Sequence, residues 1–154
     1  MSVAFRRESD EEHLEPKFEL PIPPGPNWVT PRGLEQLHER LAQATAAVAA
    51  ERDEEARKRL SRDLRYWQTR VATAEPAPAP DEGEAGVGSR VTFRLNGTER
   101  SIAIVGGDEA DPQSGLLAFS APLARALMGA AEGDLVAYNG VDDAIEVLGV
   151  SPRE

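Results

Sequence analysis

The densest chemistry in the sequence lies in one polar stretch, Glu51-Arg52-Asp53-Glu54-Glu55, where four carboxylates (Glu51, Asp53, Glu54, Glu55) stand together without an apolar neighbour. Such a string has a plain structural use. An Asp can cap a helix by accepting from an orphan backbone N–H, and acidic neighbours complement the positive end of the helix dipole, with no metal involved. The histidines add no site, since His13 sits in a charged head and His38 between Leu37 and Leu41, neither with a nucleophile or second ligand nearby. Cysteine is absent, which excludes thiol catalysis, disulfide frameworks and Cys-zinc sites. Gly106-Gly107 runs into Asp108-Glu109, an acidic continuation that repels phosphate rather than cradling it. The basic run Arg57-Lys58-Arg59-Arg62-Arg65 reads as a solvated helix face, with an acidic protein surface or nucleic acid as its alternative contact. No catalytic residue, metal ligand or cofactor site is expected, and the chain reads as a binding protein rather than an enzyme.

The carboxylates need elements to hold them. Thr30-Pro31 is a helix start, with Thr able to accept from a free N–H and Pro where its missing donor is harmless. Leu34, Leu37, Leu41, Ala44 and Val48 then recur at spacings of three and four, as do Leu60, Leu64, Trp67, Val71 and Ala74, closing at Glu75-Pro76. Two such stripes joined by a polar link predict an antiparallel helical hairpin, a short coiled coil over residues 30–75 with the acidic stretch at its tip. The arm would be ~30 Å long at 1.5 Å per residue.

Residues 1–29 are charged, then proline-rich, and should be extended or disordered, with Trp28 placed to staple onto the first turn of helix one. Residues 76–87, opening Pro76-Ala77-Pro78-Ala79-Pro80, read as a linker without core residues. From residue 88 to 154 the pattern changes to strands. Val91-Thr92-Phe93-Arg94-Leu95 alternates, Asn96-Gly97 signals a tight hairpin, and Arg100-Ser101-Ile102-Ala103-Ile104-Val105 returns. Two further strands are expected at residues 135–138 and 144–150. Between the strand pairs, Pro122 to Gly129 forms a short helix with Pro at its start and Gly past its end. The fold class is α+β.

The net charge is −10, spread as 3 basic to 6 acidic residues over 1–29, 9 to 8 over 30–75 and 5 to 13 over 76–154. An acidic C-terminal half repels phosphate, so little autonomous nucleic-acid binding is expected and a basic protein surface suits it better. No run approaches the ~20 apolar residues of a membrane span, and a monomeric cytoplasmic protein is expected.

Four linked stretches then carry a family resemblance: Gly106-Gly107-Asp108-Glu109-Ala110-Asp111, Gly115-Leu116-Leu117, Ala121-Pro122-Leu123-Ala124-Arg125-Ala126-Leu127-Met128-Gly129, and Gly133-Asp134. In order and spacing they resemble the C-terminal domain of the bacterial GreA/GreB transcript-cleavage factors, whose fold is FKBP-like. The resemblance implies that the C-terminal domain grips the rim of the RNA polymerase secondary channel through the β′ subunit while a helical arm enters the channel. Carried over by position, Asp111, Pro122, Leu123 and Arg125 fall in or beside the rim-facing segments. Each has a structural role as well: Asp111 before Pro112 can start a turn, Pro122 starts a helix, and Leu123 reads as core.

Two departures matter. The family's Ser before the helix proline is Ala121 here, removing a cap unless Ser120 supplies one. The family's tip string Gly-Asp-Leu-Ser-Glu-Asn, followed by Glu-Tyr, is missing, and the hairpin is several turns shorter, as in Rnk-like members. In the cleavage factors the tip carboxylates help hold a second Mg²⁺ that activates water. The resemblance therefore implies a transcription regulator that docks at the channel and modulates elongation or initiation without cleavage. Cleavage through Glu51, Asp53, Glu54 and Glu55 is the alternative reading. Peptidyl-prolyl isomerisation is a remote third, because residues 88–154 offer only Phe93, Phe119 and Tyr138 for an aromatic groove.

Overall fold

The structure, a computed structural model, describes residues 19–153. Its contacts divide the chain into two compact units, one of Leu37–Thr73 with the described part of Met1–Gly25, the other of Pro26–Gln36 with Ala74–Glu154. The first turns of the first helix therefore group with the C-terminal sheet.

The first unit holds the expected hairpin. Helix α1 spans Pro31–Ala50 and α2 spans Glu54–Thr73. The seam residues Leu41, Ala44, Val48, Leu60, Leu64, Trp67 and Val71 are half-buried, while Lys58, Arg59 and Arg65 face outward. Trp67 of α2 lies under the guanidinium of Arg40 of α1, 5.2 Å from its ring centroid, and meets Tyr66 edge-on at 4.8 Å. Such ring contacts let an aromatic-poor seam hold two helices together.

In the second unit, β3 (Ser89–Leu95), β4 (Thr98–Val105), β5 (Leu116–Ala118), β6 (Leu135–Tyr138) and β7 (Val141–Pro152) make one mixed sheet in the order β5-β4-β3-β7-β6. Asn96 and Gly97 take positive φ values of 52° and 78° and close the β3–β4 hairpin. A second pair, Asn139 and Gly140 at 55° and 80°, does the same for β6–β7, so β7 begins at Val141 rather than at residue 144. Alternation places Val91 and Phe93 of β3 and Ile145 and Val147 of β7 inward, where they meet Ile102 and Ile104 of β4. The short helix α3, Pro122–Leu127, covers them with Leu123, Ala124 and Leu127.

Three features differ from expectation. Helix α2 ends at Thr73, and Ala74–Pro76 becomes a strand, β2, in parallel register with β1 at Asn27–Val29. Pro at the last position of β2 fits, because a two-stranded ribbon leaves its N–H side unused. Trp28 finds a partner far from α1 in sequence. It packs on Phe119, the ring centroids 5.0 Å apart. The end of the stretch read as linker also belongs to the core: Ala85 is buried, donates from its N–H to Ala130 O at 2.9 Å and accepts from Gly129 N at 2.8 Å. The next residue, Gly86, is as closely packed, since a Cβ there would lie 2.8 Å from Pro80 Cβ.

Candidate partner-binding surface

The residues singled out from sequence fall into two groups, one in each unit. Around β5, Asp111 precedes a 3-10 turn, Pro112–Ser114, and pairs with Leu116 in both directions: Asp111 N donates to Leu116 O at 2.8 Å, and Leu116 N to Asp111 O at 3.1 Å. Ser114 Oγ donates to Asp111 Oδ2 at 2.8 Å, and Gly115 closes the turn at φ 79°. The turn-forming role is thus realised, and Asp111 still stands exposed. Beyond the other end of β5, Pro122 and Arg125 are exposed on α3, while Leu123 is only 8% exposed and sits in the core. Ala121 offers no side-chain cap, and its carbonyl accepts from Arg125 N at 2.8 Å. Two turns hydrogen-bonded to a packed strand thus hold three polar or rigid side chains outward.

At the hairpin tip, Asp53 Oδ2 accepts from Ala56 N at 2.9 Å, which is a helix cap. Glu51 Oε2 accepts from Asp53 N at 3.0 Å and from Arg52 N at 3.2 Å. Glu54 and Glu55 stand exposed on the first turn of α2, Glu55 reaching Lys58 at 3.6 Å. Two of the four carboxylates therefore organise the turn itself. His38 is exposed, and His13 lies outside the described residues. Among the described residues no helix is long and apolar enough to cross a membrane.

The residue that spacing alone does not mark is Glu109. Its side chain is 2% exposed and pairs with Arg153 Nη1 at 2.6 Å, and its Oε1 accepts from Thr30 Oγ1 at 2.5 Å. Thr30 Oγ1 in turn accepts from Gly33 N at 2.9 Å, so one hydroxyl both caps α1 and reaches the buried carboxylate. Two glycines permit this approach. A Cβ on Gly33 would lie 2.8 Å from Glu109 Oε1, and one on Gly106 would lie 2.5 Å from Trp28 O. The only signal in the sequence was Gly106 and Glu109 standing three apart in a motif read as acidic.

Asp111, Pro122 and Arg125 thus face outward from turns on a mixed sheet whose chain is preceded by a helical hairpin. Residues 79–152 match the family described as transcription elongation factor GreA/GreB, C-terminal. A curated relative, the transcription elongation factor GreA of Alkalilimnicola ehrlichii, is 42% identical over 64 residues, which cover 40% of each chain. GreA of Thermomicrobium roseum is 30% identical over 99 residues, 64% of each chain. Among solved structures, GreA factor homolog 1 of Thermus thermophilus has a TM-score of 0.39 at 19% identity, covering 78% of this chain and 90% of that one. Residues 79–152 are thus similar to the C-terminal domain of the GreA/GreB family. The chain's alignments span 40% and 64% of the length of the two curated relatives.

Proposed function

We propose that this chain is an RNA polymerase-associated transcription factor that docks at the rim of the secondary channel, against the β′ subunit, and modulates elongation or initiation without completing a cleavage site. The carrying observation is that the domain matching the GreA/GreB family presents Asp111, Pro122 and Arg125 outward around β5. Leu123, held in the core, serves this surface by fixing the pitch of α3 rather than by contact. The division of labour we propose is an arm over residues 30–75, a connection over 76–87 and a docking domain over 88–154, preceded by a segment over 1–29 whose end, β1, packs Trp28 on Phe119 of the docking domain. The setting is the cytoplasm, and a monomer without cofactor suffices.

The non-cleaving form of the reading is supported by the tip. Glu51 and Asp53 are engaged by backbone N–H groups, and a carboxylate ligates Mg²⁺ only at ~2.1 Å, so small displacements matter. Exposed Glu54 and Glu55 favour the alternative, a transcript-cleavage factor. Prolyl isomerisation finds less support: a cavity of about 400 Å³ in the C-terminal unit is lined by Pro80, Val87, Val150 and Pro152 with Asp81, Glu82 and Glu84, and carries no aromatic ring.

The test adds purified protein to a backtracked elongation complex, alone and with a cleavage factor. Suppression of the added factor without shortening of the transcript is the expected result. Shortening by the protein alone, abolished by Glu54→Ala and Glu55→Ala together, would replace this reading with the cleavage alternative. Retention of polymerase by an Asp111→Ala, Arg125→Ala double variant as strongly as by the parent would remove the docking surface from the account.

A further inference from the structure

A cavity of the C-terminal unit combines an aliphatic floor with an acidic rim. Pro80 and Val87 reach it from the loop before β3, Val150 and Pro152 from the end of β7, and apolar atoms make up most of its lining. At about 400 Å³ it lies at the small end of ligand clefts, which run ~300–1,000 Å³, and has room for a side chain or two with the backbone that carries them. Asp111, Pro122 and Arg125 are not among its lining residues.

Its walls are fixed by backbone hydrogen bonds. In the loop, Glu84 N donates to Asp81 O at 2.9 Å, and Gly83 takes a φ of 82°, which glycine adopts without strain. Ser89 N donates to Gly86 O at 3.0 Å and Arg153 N to Gly88 O at 2.8 Å, so the loop is tied to the residue that follows β7. Val150, Ser151 and Pro152 pair with Val91, Arg90 and Ser89 of β3. A cleft held in this way has little freedom left to lose when a ligand enters, and that loss is a main cost of binding.

The rim supplies Asp81, Glu82 and Glu84, and residues 76–89 contain no Lys or Arg. Asp81 and Glu82 are exposed and Glu84 is half-buried; among the described residues none of the three side chains makes an ion pair or a hydrogen bond. Nor do three carboxylates converge as metal ligands anywhere among the described residues. Such a rim repels phosphate, which disfavours nucleic acid. A spread of acid over an aliphatic floor suits a long basic side chain, which lays its methylene stem on apolar surface and keeps its charged head at the edge. Arginine fits better than lysine, because its planar guanidinium offers five donors and is more weakly hydrated. Ser89, a buried lining residue, accepts from Gly86 N at 3.0 Å, and its hydroxyl proton meets no acceptor among the described residues, which leaves a donor for a peptide carbonyl.

We propose that this cavity is a docking site for an arginine on an extended segment of a partner protein, its stem on Val87, Val150 and Pro152 and its guanidinium among Asp81, Glu82 and Glu84. The inference does not rest on the RNA polymerase reading.

The probe is the peptide acetyl-Gly-Val-Arg-Val-Gly-amide, titrated into the ¹⁵N-labelled full chain and followed by amide chemical shifts. Saturable shifts at Gly83, Glu84, Val87, Gly88 and Ser151 are expected, with a Kd of about 1 mM, the scale of a single anchored side chain. Binding should weaken at about 1 M salt, where the screening length is about 3 Å. The same peptide with citrulline, a neutral isostere of arginine, should bind at least about tenfold more weakly, as the loss of one charge-assisted hydrogen bond requires, and this comparison needs no protein variant. Asp81→Asn together with Glu82→Gln, both at exposed positions, should weaken the arginine peptide by about tenfold and leave the citrulline peptide unchanged. The absence of saturable shifts at those amides up to about 10 mM peptide overturns the proposal, and so does equal binding of the two peptides. Magnesium chloride moving the same amides at the same concentration would reveal an unselective acidic patch. Dilution of the protein alone moving them would make a second copy the occupant, and either result also overturns the assignment.

Discussion

Replacing Arg153 with Met removes the guanidinium bonded to Glu109, a carboxylate 2% exposed, while keeping an apolar stem of similar length. Breaking a buried ion pair by deleting one partner typically costs about 3–5 kcal/mol. Arg153 itself is 13% exposed, so water can enter the space it leaves, and the lower end of that range, about 3 kcal/mol, is expected. Thr30→Val deletes two things: the hydroxyl bond to Glu109, worth about 1 kcal/mol, and the cap on Gly33 N, worth about 1 kcal/mol more. The order Arg153→Met above Thr30→Val follows. Because both act on one carboxylate, the double variant should depart from additivity by more than about 0.5 kcal/mol. Urea unfolding in a Trp67→Phe background leaves Trp28, which belongs to the same unit as Glu109, as the only indole reporter. Hydrogen exchange at Gly33 reports the cap directly. If Arg153→Met shifts the midpoint by the equivalent of less than about 0.5 kcal/mol, the range of an ordinary surface change, the buried pair is not a fastening and the reasoning fails.

Further outcomes follow from single contacts. Gly106→Ala places a Cβ against Trp28 O, a backbone atom that cannot swing aside, so a loss of about 1–3 kcal/mol and a changed Trp28 emission are expected; an unaltered spectrum would contradict the close approach. Ala121→Ser should stabilise the C-terminal unit by about 1 kcal/mol, since Ala121 already has the extended backbone of a cap (φ −68°, ψ 147°) and lacks only the acceptor; no rise in the urea midpoint would argue against this. Trp67→Ala should lower the helical circular dichroism and its melting temperature by removing the ring beneath Arg40, and an unchanged melt would mean that the seam is not held there.

Much of the architecture was legible in advance because it rests on neighbours. The α1 and α2 stripes, the Asn96-Gly97 turn and the Pro-to-Gly frame of α3 are each set by residues within a few positions of one another, where backbone preference and periodicity act. Asp111 as a turn former and Asp53 as a cap were readable for the same reason. The second Asn-Gly turn, at 139–140, was equally local and could have been read from the same dipeptide. Strand β5 could not, for three residues are too few to show a period, and its place beside β4 depends on the turn at Asp111.

Glu109 is the clearest case of what tertiary structure alone decided. Its partners Thr30 and Arg153 stand 79 and 44 positions away, so no window of sequence contains the group. A carboxylate in an acidic motif looks solvated until folding brings a hydroxyl and a guanidinium to it. Gly33 and Gly106 likewise look like unremarkable small residues until another strand or side chain arrives where their Cβ would have been. Spacing along the chain carries the bonds a residue makes with its neighbours, whereas burial and close approach belong to contacts that exist only after the chain has closed on itself.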